Sequence, residues 1–239
     1  MENPLVSVIL PTKNEEMAIE ACLLSLKEQQ TQFPYEIIVV DTRSKDKTLE
    51  IASQYGTRII TEDRPGKSVA RQKGAQEAMG EILCFTEADC RVPETWIETI
   101  GKTLMADLQI IAVTGGYTLT ESNRFYTLLV RLFHPISVHV FHALHGHHSL
   151  RATNFAVRAQ GLKEIGGFNT ETMELDDVEF SMRASKYGRI RYVPAMSVLS
   201  LDRRFRNRLW SFLMEFAISY YKIAIRRQAV TRPVYKDIR

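Results

Sequence analysis

Residues 81–90 read EILCFTEADC, an apolar run that ends in two carboxylates. A run of this length with polar residues on both sides predicts a buried strand that ends at the surface. Glu87 and Asp89 are two positions apart, so they would project from one side of an extended strand end. Both carboxylates could then reach one divalent cation, or they could simply mark the exit of the strand into solvent. Other parts of the chain bear on this choice.

Apolar runs and amphipathic segments alternate on both sides of this stretch. Strands are predicted at residues 5–10, 36–40, 58–60, 81–85, 110–114 and 190–193. One helix is predicted to end at residue 26 and another at about residue 55, and further helices are predicted at 66–79, 94–105 and 176–187. Residues 152–157 are expected to reverse the chain. This alternation is typical of βαβ units with right-handed crossovers. The expected fold class is therefore α/β, with a mostly parallel central sheet flanked by helices.

The composition is that of an ordinary globular protein. The 239 residues have 45% hydrophobic and 25% charged content, which predicts one large α/β domain with a C-terminal appendage. The net charge of +3 gives no reason to expect a nucleic-acid partner. The three cysteines show no metal-type pairing and predict reduced thiols. No basic signal segment opens the chain and no apolar run is long enough to cross a bilayer. A cytoplasmic protein is expected, with peripheral contact to the inner membrane face left open.

Polar side chains also follow other predicted strands at what would be the same edge of the sheet. In parallel sheets, ligands bind outside the carboxyl ends of the strands. A turn at residues 11–15 follows the first strand, and Asp41 follows the second. Asp41 could accept hydrogen bonds from a base or a ribose hydroxyl, or it could cap the next helix. The dinucleotide motif GxGxxG and the P-loop motif are both missing, which disfavours those two classes of site.

A basic helix is predicted close to this edge, because Arg71 lies with Lys67 and Lys73 in the segment 66–79. A guanidinium suits bidentate contact to phosphate oxygens, so the helix could face a diphosphate. A solvated basic helix face is the alternative.

A second group of carboxylates, ELDDVE at residues 174–179, opens the helix predicted at 176–187. Acids favour a helix N-terminus through the macrodipole, so part of this cluster could be structural. Asp176 and Asp177 should nevertheless repel each other, which would raise the pKa of one of them and suit it to accept a proton. The repulsion does not identify which acid acts.

All six histidines lie in the second half of an apolar stretch at 125–150: His134, His139, His142, His145, His147 and His148. Their spacing matches no zinc motif, and no cysteine lies near them in the sequence. A mobile loop over the site, or an acceptor-binding surface, is the favoured interpretation.

In order and spacing, these motifs resemble the family-2 glycosyltransferases, which are inverting enzymes with the GT-A nucleotide-diphospho-sugar fold. The segments that carry the resemblance are VSVILPTKNE at 6–15, IVVD at 38–41, ARQKG at 70–74, NFAVR at 154–158, GGF at 166–168 and DDVEF at 176–180. Residues 87–89 are Glu-Ala-Asp where the family usually has Asp-x-Asp. The QxxRW element of processive members is missing, so transfer of a single sugar is expected.

The resemblance implies a nucleotide-sugar donor, UDP-linked by the family's general habit with GDP as the second choice, and a saccharide or lipid-linked acceptor. It makes Asp177 the base that deprotonates the acceptor hydroxyl, and Asp89 with Glu87 the ligands of Mg²⁺ or Mn²⁺. The donor contacts that it implies are Pro11, Thr12, Asn14, Glu15, Asp41, Arg71 and Glu87. The acceptor side that it implies consists of Asn154, Asp176 and Arg183.

The expected organisation is a GT-A domain at 1–200 and a basic extension at 201–239. The domain would have a nucleotide-binding half at about 1–115 and an acceptor half at about 116–200. An amphipathic helix predicted at 206–227 could lie on an anionic membrane, or pack on the domain or on a second subunit of a homodimer. Two other classes stay open. A sugar nucleotidyltransferase would need a Gly- and Arg-rich loop that residues 11–16 lack, and a non-catalytic module could keep the same fold.

Overall fold

The computed structural model describes residues 5–120, 124–172 and 175–201. The strands are β1 (Val6–Thr12), β2 (Tyr35–Asp41), β3 (Arg58–Thr61), β4 (Ile82–Thr86), β5 (Cys90–Arg91), β6 (Ile110–Thr114), β7 (Tyr117–Thr120), β8 (Asn154–Arg158), β9 (Arg189–Tyr192) and β10 (Val198–Leu201). The helices are α1 (Ile19–Lys27), α2 (Thr48–Gln54), α3 (Lys67–Glu77), α4 (Trp96–Ala106), α5 (Arg124–His145), α6 (Ala159–Ile165) and α7 (Asp176–Ala184), with a short 3-10 helix at Pro194–Met196.

A seven-stranded sheet in the order β3-β2-β1-β4-β8-β6-β9 forms the centre of the fold. Four of its six neighbouring pairs are parallel, and β8 alone runs antiparallel to its neighbours, β4 and β6. The prediction of a mostly parallel α/β sheet is therefore confirmed. Each of the six predicted strands is present within two residues of its predicted bounds.

Strand β8 occupies residues that the sequence predicts only as a chain reversal. Its first residue, Asn154, pairs with Thr86 at the carboxyl end of β4, and Phe155 pairs with Thr114 at the carboxyl end of β6. The chain therefore leaves β6 and enters β8 at the same edge of the sheet without crossing it, which makes β8 antiparallel. The sequence does not encode this direction locally, because it depends on the path of the 39 residues in between.

Side chains alternate between the two faces of the central sheet, and each face carries an apolar cluster. Val8 and Leu10 of β1 pack with residues of α1 and α4 on one face. Ile9 packs on the other face with residues of α6 and α7, where the rings of Phe85 and Phe155 stack with centroids 4.6 Å apart. Burial of side chains of this size contributes about 1.5–3 kcal/mol each. The strand ends that carry the polar residues are thus held by a rigid core.

Helix α3 lies close against the sheet because Gly74 has no side chain. A Cβ at this position would lie only 2.5 Å from Cγ2 of Ile9. At the start of the helix, Gly66 has a φ of +125°, a conformation that favours glycine. The close approach places Lys67 and Arg71 of α3 within ion-pair distance of Glu87, which follows β4.

A second, three-stranded sheet in the order β5-β10-β7 lies beside the end of β4. Strand β10 is antiparallel to β5 and parallel to β7. The N–H of Leu201 donates to the main-chain carbonyl of Asp89 at 3.0 Å. The small sheet therefore supports the turn that carries Asp89.

Most of the histidine-rich stretch is helical, so the expectation of a mobile loop is wrong there. Helix α5 runs from Arg124 to His145 and includes His139 and His142. Apolar residues recur at helical spacing through this segment, a signal that the density of histidines obscured. Among the described residues, no three His, Cys, Asp or Glu side chains gather in an arrangement that could hold a metal ion.

The helix predicted at 206–227 lies outside the described residues, as does the basic extension except for Leu201, which ends β10. In the part of the chain that the structure describes, no helix combines the length and the apolar character needed to cross a bilayer. The division of the chain at residue 200 stays a prediction.

Candidate active site

The carboxyl ends of β1, β2 and β4 lie at one edge of the sheet because these strands are parallel. Thr12 is paired in register with Asp41, so the polar ends of β1 and β2 are direct neighbours. Glu87 and Asp89 follow β4 at the same edge. The structure thus brings together the strand-end residues that the sequence singles out.

Asp41 organises this edge from a buried position, with only 1% of its surface exposed. Its Oδ1 accepts hydrogen bonds from the hydroxyls of Thr12 (3.1 Å) and Ser44 (2.5 Å), and its Oδ2 accepts one from the N–H of Ser44 (2.8 Å). Three donors already satisfy the carboxylate, which therefore ties the loop after β1 to the loop after β2. Contact of Asp41 or of the buried Thr12 with a nucleoside stays a prediction.

The turn after β1 is fixed to the loop after β2 by reciprocal hydrogen bonds. Asn14, whose φ is +52°, donates its N–H to the hydroxyl of Ser44 at 2.8 Å, and its Oδ1 accepts the N–H of Lys45 at 2.9 Å. The N–H of Glu15 donates to the hydroxyl of Thr48 at 2.7 Å. Asn and Asp tolerate a left-handed backbone better than other non-glycine residues, which explains Asn14 at this position. The turn is therefore preorganised.

These loops border a cavity of about 340 Å³, within the usual size range of small-molecule sites. The cavity is lined by Lys13, Asn14, Thr42, Arg43, Lys45, Asp63 and Pro65. Three of these side chains are cationic, and the ion pair of Arg43 with Asp63 at 2.8 Å neutralises one of them. The lining favours an anionic or strongly polar ligand. The side chains of Pro11, Asn14 and Glu15 are all partly exposed.

Glu87 and Asp89 differ sharply in their surroundings. They belong to a turn closed by the N–H of Cys90 and the carbonyl of Glu87 at 3.0 Å, so the expectation of an extended strand end is wrong here. Oε1 of the buried Glu87 lies 2.5 Å from Nζ of Lys67 and 3.3 Å from Nη2 of Arg71. Asp89 is partly exposed and has no ion pair within the described residues. Asp89 is therefore the carboxylate that suits an incoming cation.

Arg71 is fully buried, and its contact with the phosphates of a donor stays a prediction. Its guanidinium forms ion pairs with Asp176 and with Glu87. Arg71 and Gly74 are three positions apart and share the face of α3 that packs on the domain, so the side chain points inward. Arg71 consequently links the turn after β4 to the start of α7 from a buried position.

Asp176 and Asp177 have different partners at the start of α7. Leu175, with a φ of +52°, turns the chain into the helix. Asp176 is buried and paired with Arg71, and its contact with an acceptor stays a prediction. Oδ2 of Asp177 accepts the N–H of Ala152 at 2.7 Å, and its Oδ1 accepts the N–H of Val178 at 2.9 Å.

The pKa of Asp177 is raised above its ordinary value. Burial of the carboxylate is the main cause, and the negative charge of Asp176 adds to it. The N–H of Ala152 and the positive charge of Arg71 offset part of this increase. Each oxygen of Asp177 accepts one hydrogen bond in the structure and has capacity for another. Asp177 is therefore held in a fixed orientation with a basicity suited to accepting a proton.

Asn154 and Arg183 make hydrogen bonds within the fold, and their assignment to the acceptor side stays a prediction. Asn154 is fully buried; its amide donates to the carbonyls of Gly116 (2.8 Å) and Met196 (2.6 Å) and accepts the indole N–H of Trp96 (2.9 Å). Arg183 pairs with Glu179 at 2.7 Å and donates to the carbonyls of residues 165 and 167. Both side chains use their polar atoms to connect segments of the fold.

Arg151 is a candidate that the sequence analysis missed. It directly precedes Ala152, whose N–H holds Asp177. Its guanidinium lies 5.9 Å from the ring centroid of Tyr117 and donates to the hydroxyl of Ser137 at 3.2 Å. Its Nε is buried without a hydrogen-bond partner, and none of the described acidic residues pairs with it. One feature of the sequence could have pointed to Arg151: it is a cation in a stretch, residues 124–163, that contains no acidic residue.

Comparison with known proteins gives a consistent result. The sequence model described as Glycosyl transferase family 2 matches residues 7–166. Glycosyltransferase AglE of Haloferax volcanii is 29% identical over 192 residues, which cover 77% of this chain and 62% of that protein. Probable glycosyltransferase YdaM of Bacillus subtilis is 28% identical over 214 residues, covering 81% and 50% respectively. The chain thus spans between half and two thirds of the length of these relatives.

Solved structures share the fold. Mannosyltransferase PcManGT from Pyrobaculum calidifontis, in complex with GDP-Man and Mn²⁺, superposes with a TM-score of 0.70 at 23% identity, covering 99% of this chain and 68% of that one. Glucosyl-3-phosphoglycerate synthase from Mycobacterium tuberculosis, in complex with Mn²⁺, UDP and glucosyl-3-phosphoglycerate, gives 0.71 at 20% identity, covering 94% and 80%. The family match covers most of the chain, and the sheet is that of the GT-A structures. The chain therefore belongs to glycosyl transferase family 2.

Proposed function

We propose that this protein is an inverting glycosyltransferase, which moves one sugar from a nucleoside-diphosphate sugar to an acceptor hydroxyl. The observation that carries the proposal is that two carboxylates at one sheet edge, Asp89 and Asp177, have different surroundings. Asp89 is partly exposed and lacks a cationic partner among the described residues, whereas Asp177 is fixed by two N–H donors and has a raised pKa. One suits a cation and the other suits a proton, as inverting transfer requires.

The donor would bind along the carboxyl ends of β1, β2 and β4. The cationic cavity beside the loop after β1 offers room for part of a nucleotide, and Lys13 and Lys45 are among the residues that line it. Pro11, Asn14 and Glu15 are assigned to this donor side because the turn that carries them is both partly exposed and preorganised. A UDP-sugar is the first choice and a GDP-sugar the second, since the solved relatives include complexes with each type of nucleotide.

The donor set at this edge fits a divalent cation that arrives with the donor. Mg²⁺ in such sites typically takes one or two protein carboxylates and completes its coordination with phosphate oxygens and water. Asp89 would supply a carboxylate oxygen to Mn²⁺ or Mg²⁺. Glu87 would hold Lys67 near Asp89 through the ion pair between Glu87 and Lys67. A bound cation neutralises the negative charge of the diphosphate leaving group.

The chain's own residues account for the proton. Asp177 accepts the proton of the acceptor hydroxyl at a carboxylate oxygen while that hydroxyl attacks the anomeric carbon. Arg71 neutralises the buried Asp176, which lowers the electrostatic cost of keeping two adjacent carboxylates at the start of one helix. Arg151 is assigned to an anionic group of the acceptor, because it lies next to the segment that holds Asp177.

The acceptor is proposed to be a saccharide or a lipid-linked molecule. The extension 202–239 carries ten basic and three acidic residues, with aromatic residues at positions 210, 212, 216, 220 and 221. A segment of this composition binds anionic membrane surfaces, which would suit a lipid-linked acceptor and a peripheral location. Its role stays a proposal.

A thermal-shift panel of UDP, GDP, CMP and dTDP, each with and without Mn²⁺, tests the donor site. A ligand that binds the native state stabilises it by an amount that grows with its concentration relative to Kd. We expect a metal-dependent increase in Tm with one nucleoside diphosphate. No increase with any of the four, from folded protein, would favour a non-catalytic module.

Replacing Asp89 by Asn should weaken nucleotide binding only when the metal is present. The amide keeps the size of the side chain but removes the charge that a divalent cation needs. Loss of a residue that only hydrogen-bonds to a metal ligand typically weakens metal affinity about 10- to 100-fold. Asp89 would itself be a ligand, so we expect the metal-dependent affinity, measured by calorimetry, to fall by more than this. Glu28→Gln, which changes an exposed acid at the end of α1, is the control and should leave affinity unchanged. An unchanged affinity in D89N would remove Asp89 from the metal site.

Replacing Arg151 by Gln should reduce transfer without reducing stability. A hydrogen bond to a charged group contributes about 1.5–3 kcal/mol, so kcat/KM for the acceptor should fall roughly ten- to a hundredfold. The Kd for the nucleotide and the Tm should stay near those of the parent, since Arg151 has no described ion pair to lose. Arg151→Lys should recover part of the activity. Parental kcat/KM in R151Q would exclude Arg151 from the acceptor site.

A further inference from the structure

Helix α5 presents an apolar face that points away from the domain. Five large apolar side chains on it are at least half exposed: Leu128 (53%), Leu132 (55%), Ile136 (54%), Val140 (50%) and Leu144 (71%). They recur every four residues along a helix of 22 residues, which is about 33 Å long. At about 100° per residue the five positions cover an arc of roughly 160° centred on Ile136. Exposed apolar surfaces of this extent mark interaction sites.

The opposite face of α5 is the one that packs on the domain. Val138 is buried, and Phe141 contacts an apolar cluster formed with Leu175 and Val178 at the start of α7. Both residues lie about 140–160° around the helix from Ile136. The exposed row is therefore a separate outer surface of the helix and not a loosely covered part of the core.

The charges around this surface indicate what covers it. Helix α5 contains no acidic residue, and neither does the chain from 124 to 163. Arg131, His139 and His142 are exposed on one flank of the helix, about 140°, 60° and 120° around it from Ile136. Leu201 is paired in parallel with Thr120, so the strongly basic extension begins beside the segment that leads into α5. An apolar face with a basic border is the pattern of helices that lie in the interface of an anionic bilayer.

Two other occupants fit these charges less well. A second copy of the chain would bring the same acid-free, basic border against itself. The extension 202–239 of the same chain, with ten basic and three acidic residues, would also add positive charge to positive charge. Only a negatively charged partner complements the border, and a bilayer also offers a continuous apolar phase for the row.

We propose that α5 docks on an anionic lipid bilayer through this apolar row, and that the acceptor is an amphiphile held in that bilayer. The second half of this inference rests on the proposed transfer function. The chain after α5 leads within seven residues to Ala152, whose N–H holds Asp177, and the N–H of Leu150 donates to the hydroxyl of Ser181 on α7 at 2.7 Å. A bilayer under α5 would therefore lie close to the residue assigned as the base.

Sedimentation with vesicles tests the docking surface without any substrate. The full-length protein should bind vesicles of phosphatidylcholine that contain about one third phosphatidylglycerol, and should bind phosphatidylcholine alone much more weakly. The double variant Leu132→Glu/Ile136→Glu should bind the anionic vesicles about tenfold or more weakly, because it places charges in the apolar row. The matched control is Met105→Glu/Leu108→Glu, which changes two apolar side chains that are at least as exposed (57% and 81%), one near the end of α4 and one in the loop before β6. The control should bind as the parent does.

The remaining outcomes contradict the proposal and identify the true occupant. If L132E/I136E binds vesicles as the parent does but lowers the Tm strongly, the row is covered by another part of the chain. If the parent is a dimer by light scattering and L132E/I136E is a monomer with unchanged vesicle binding, a second copy covers the row. If the parent binds no anionic vesicles, the docking proposal is wrong. The nucleotide-induced thermal shifts require no lipid, so failure of the docking proposal is distinguishable from failure of the transferase proposal.

Discussion

Asp177→Asn should lose transfer activity by about 10²- to 10⁴-fold, the contribution typical of a positioned general base. The amide fits the same space but cannot accept a proton from the acceptor hydroxyl. The amide has only one accepting oxygen, so D177N keeps one of the two N–H bonds and the other N–H faces the amide NH2 group. None of the residues that line the cavity beside the loop after β1 is on α7. The Kd for the nucleotide should therefore stay within a few-fold of the parent.

The raised pKa of Asp177 gives this prediction a pH dependence. Transfer by the parent should fall as the pH drops through the pKa of Asp177, and this acid limb should lie above the ordinary range of an aspartate because burial and Asp176 raise that pKa. The folded state binds the proton of Asp177 more tightly than the unfolded state does. Its contribution to stability is therefore greatest at acid pH and is lost as the pH rises through the raised pKa. The uncharged D177N variant should lose this pH dependence, and its lost N–H bond should cost at most about 1–3 kcal/mol of stability at neutral pH.

Glu171→Gln is a suitable control, because Glu171 is an exposed acid in the loop before α7. It should retain the rate, the pH profile and the stability of the parent. Transfer by D177N at the parental rate would show that another group takes the proton. A loss of stability in D177N well above about 3 kcal/mol would show that the charge of Asp177 is needed for folding.

Arg71→Met should lower the free energy of unfolding by about 3–5 kcal/mol, the usual cost of removing one partner from a buried ion pair. The change removes the cation that pairs with the buried Asp176, while Glu87 keeps its ion pair with Lys67. Urea denaturation measures the effect through the midpoint and the slope of the transition. The double variant Arg71→Met/Asp176→Asn should recover part of the loss, since it removes both charges together.

Lys73→Met is the matched control on the same helix. Lys73 pairs with Glu77 at 2.9 Å, and about a third of each side chain is exposed. Exposed pairs of this kind contribute about 0–1 kcal/mol, so K73M should unfold close to the parental midpoint. Equal effects of R71M and K73M would mean that the network of Arg71, Asp176 and Glu87 does not stabilise the fold.

Residues near strand ends were the most predictable part of the site. Runs such as 36–40 and 81–85 are apolar, short and bounded by polar residues, and parallel pairing then brings their carboxyl ends to one edge. The pattern of apolar runs alone therefore predicted that Asp41, Glu87 and Asp89 lie at the same edge. The choice between Asp176 and Asp177 could not be made from the sequence, because it depends on which of them meets Arg71.

The direction in which a side chain on a helix points was the least predictable part of the site. Arg71 and Lys67 are four positions apart on α3, yet Arg71 is buried whereas the side chain of Lys67 is 30% exposed. Helical spacing alone does not say which cation faces the core, although the small residue at Gly74 indicates the face that packs most closely. The hydrogen bonds of Asn154 were equally hard to predict, since its partners at positions 96, 116 and 196 are far away in the sequence.

Release of nucleoside diphosphate from a nucleotide sugar tests the central claim most directly. The sugar nucleotide would be the one whose nucleotide raises the Tm, and the assay would contain Mn²⁺ and a total lipid extract as the source of acceptor. We expect the parent to release nucleoside diphosphate, EDTA to stop the release, and D177N to reduce it to near background while still binding the nucleotide. Equal release by D177N and the parent, or no release by a folded parent that binds the nucleotide, would contradict the assignment of this edge as a glycosyltransferase site.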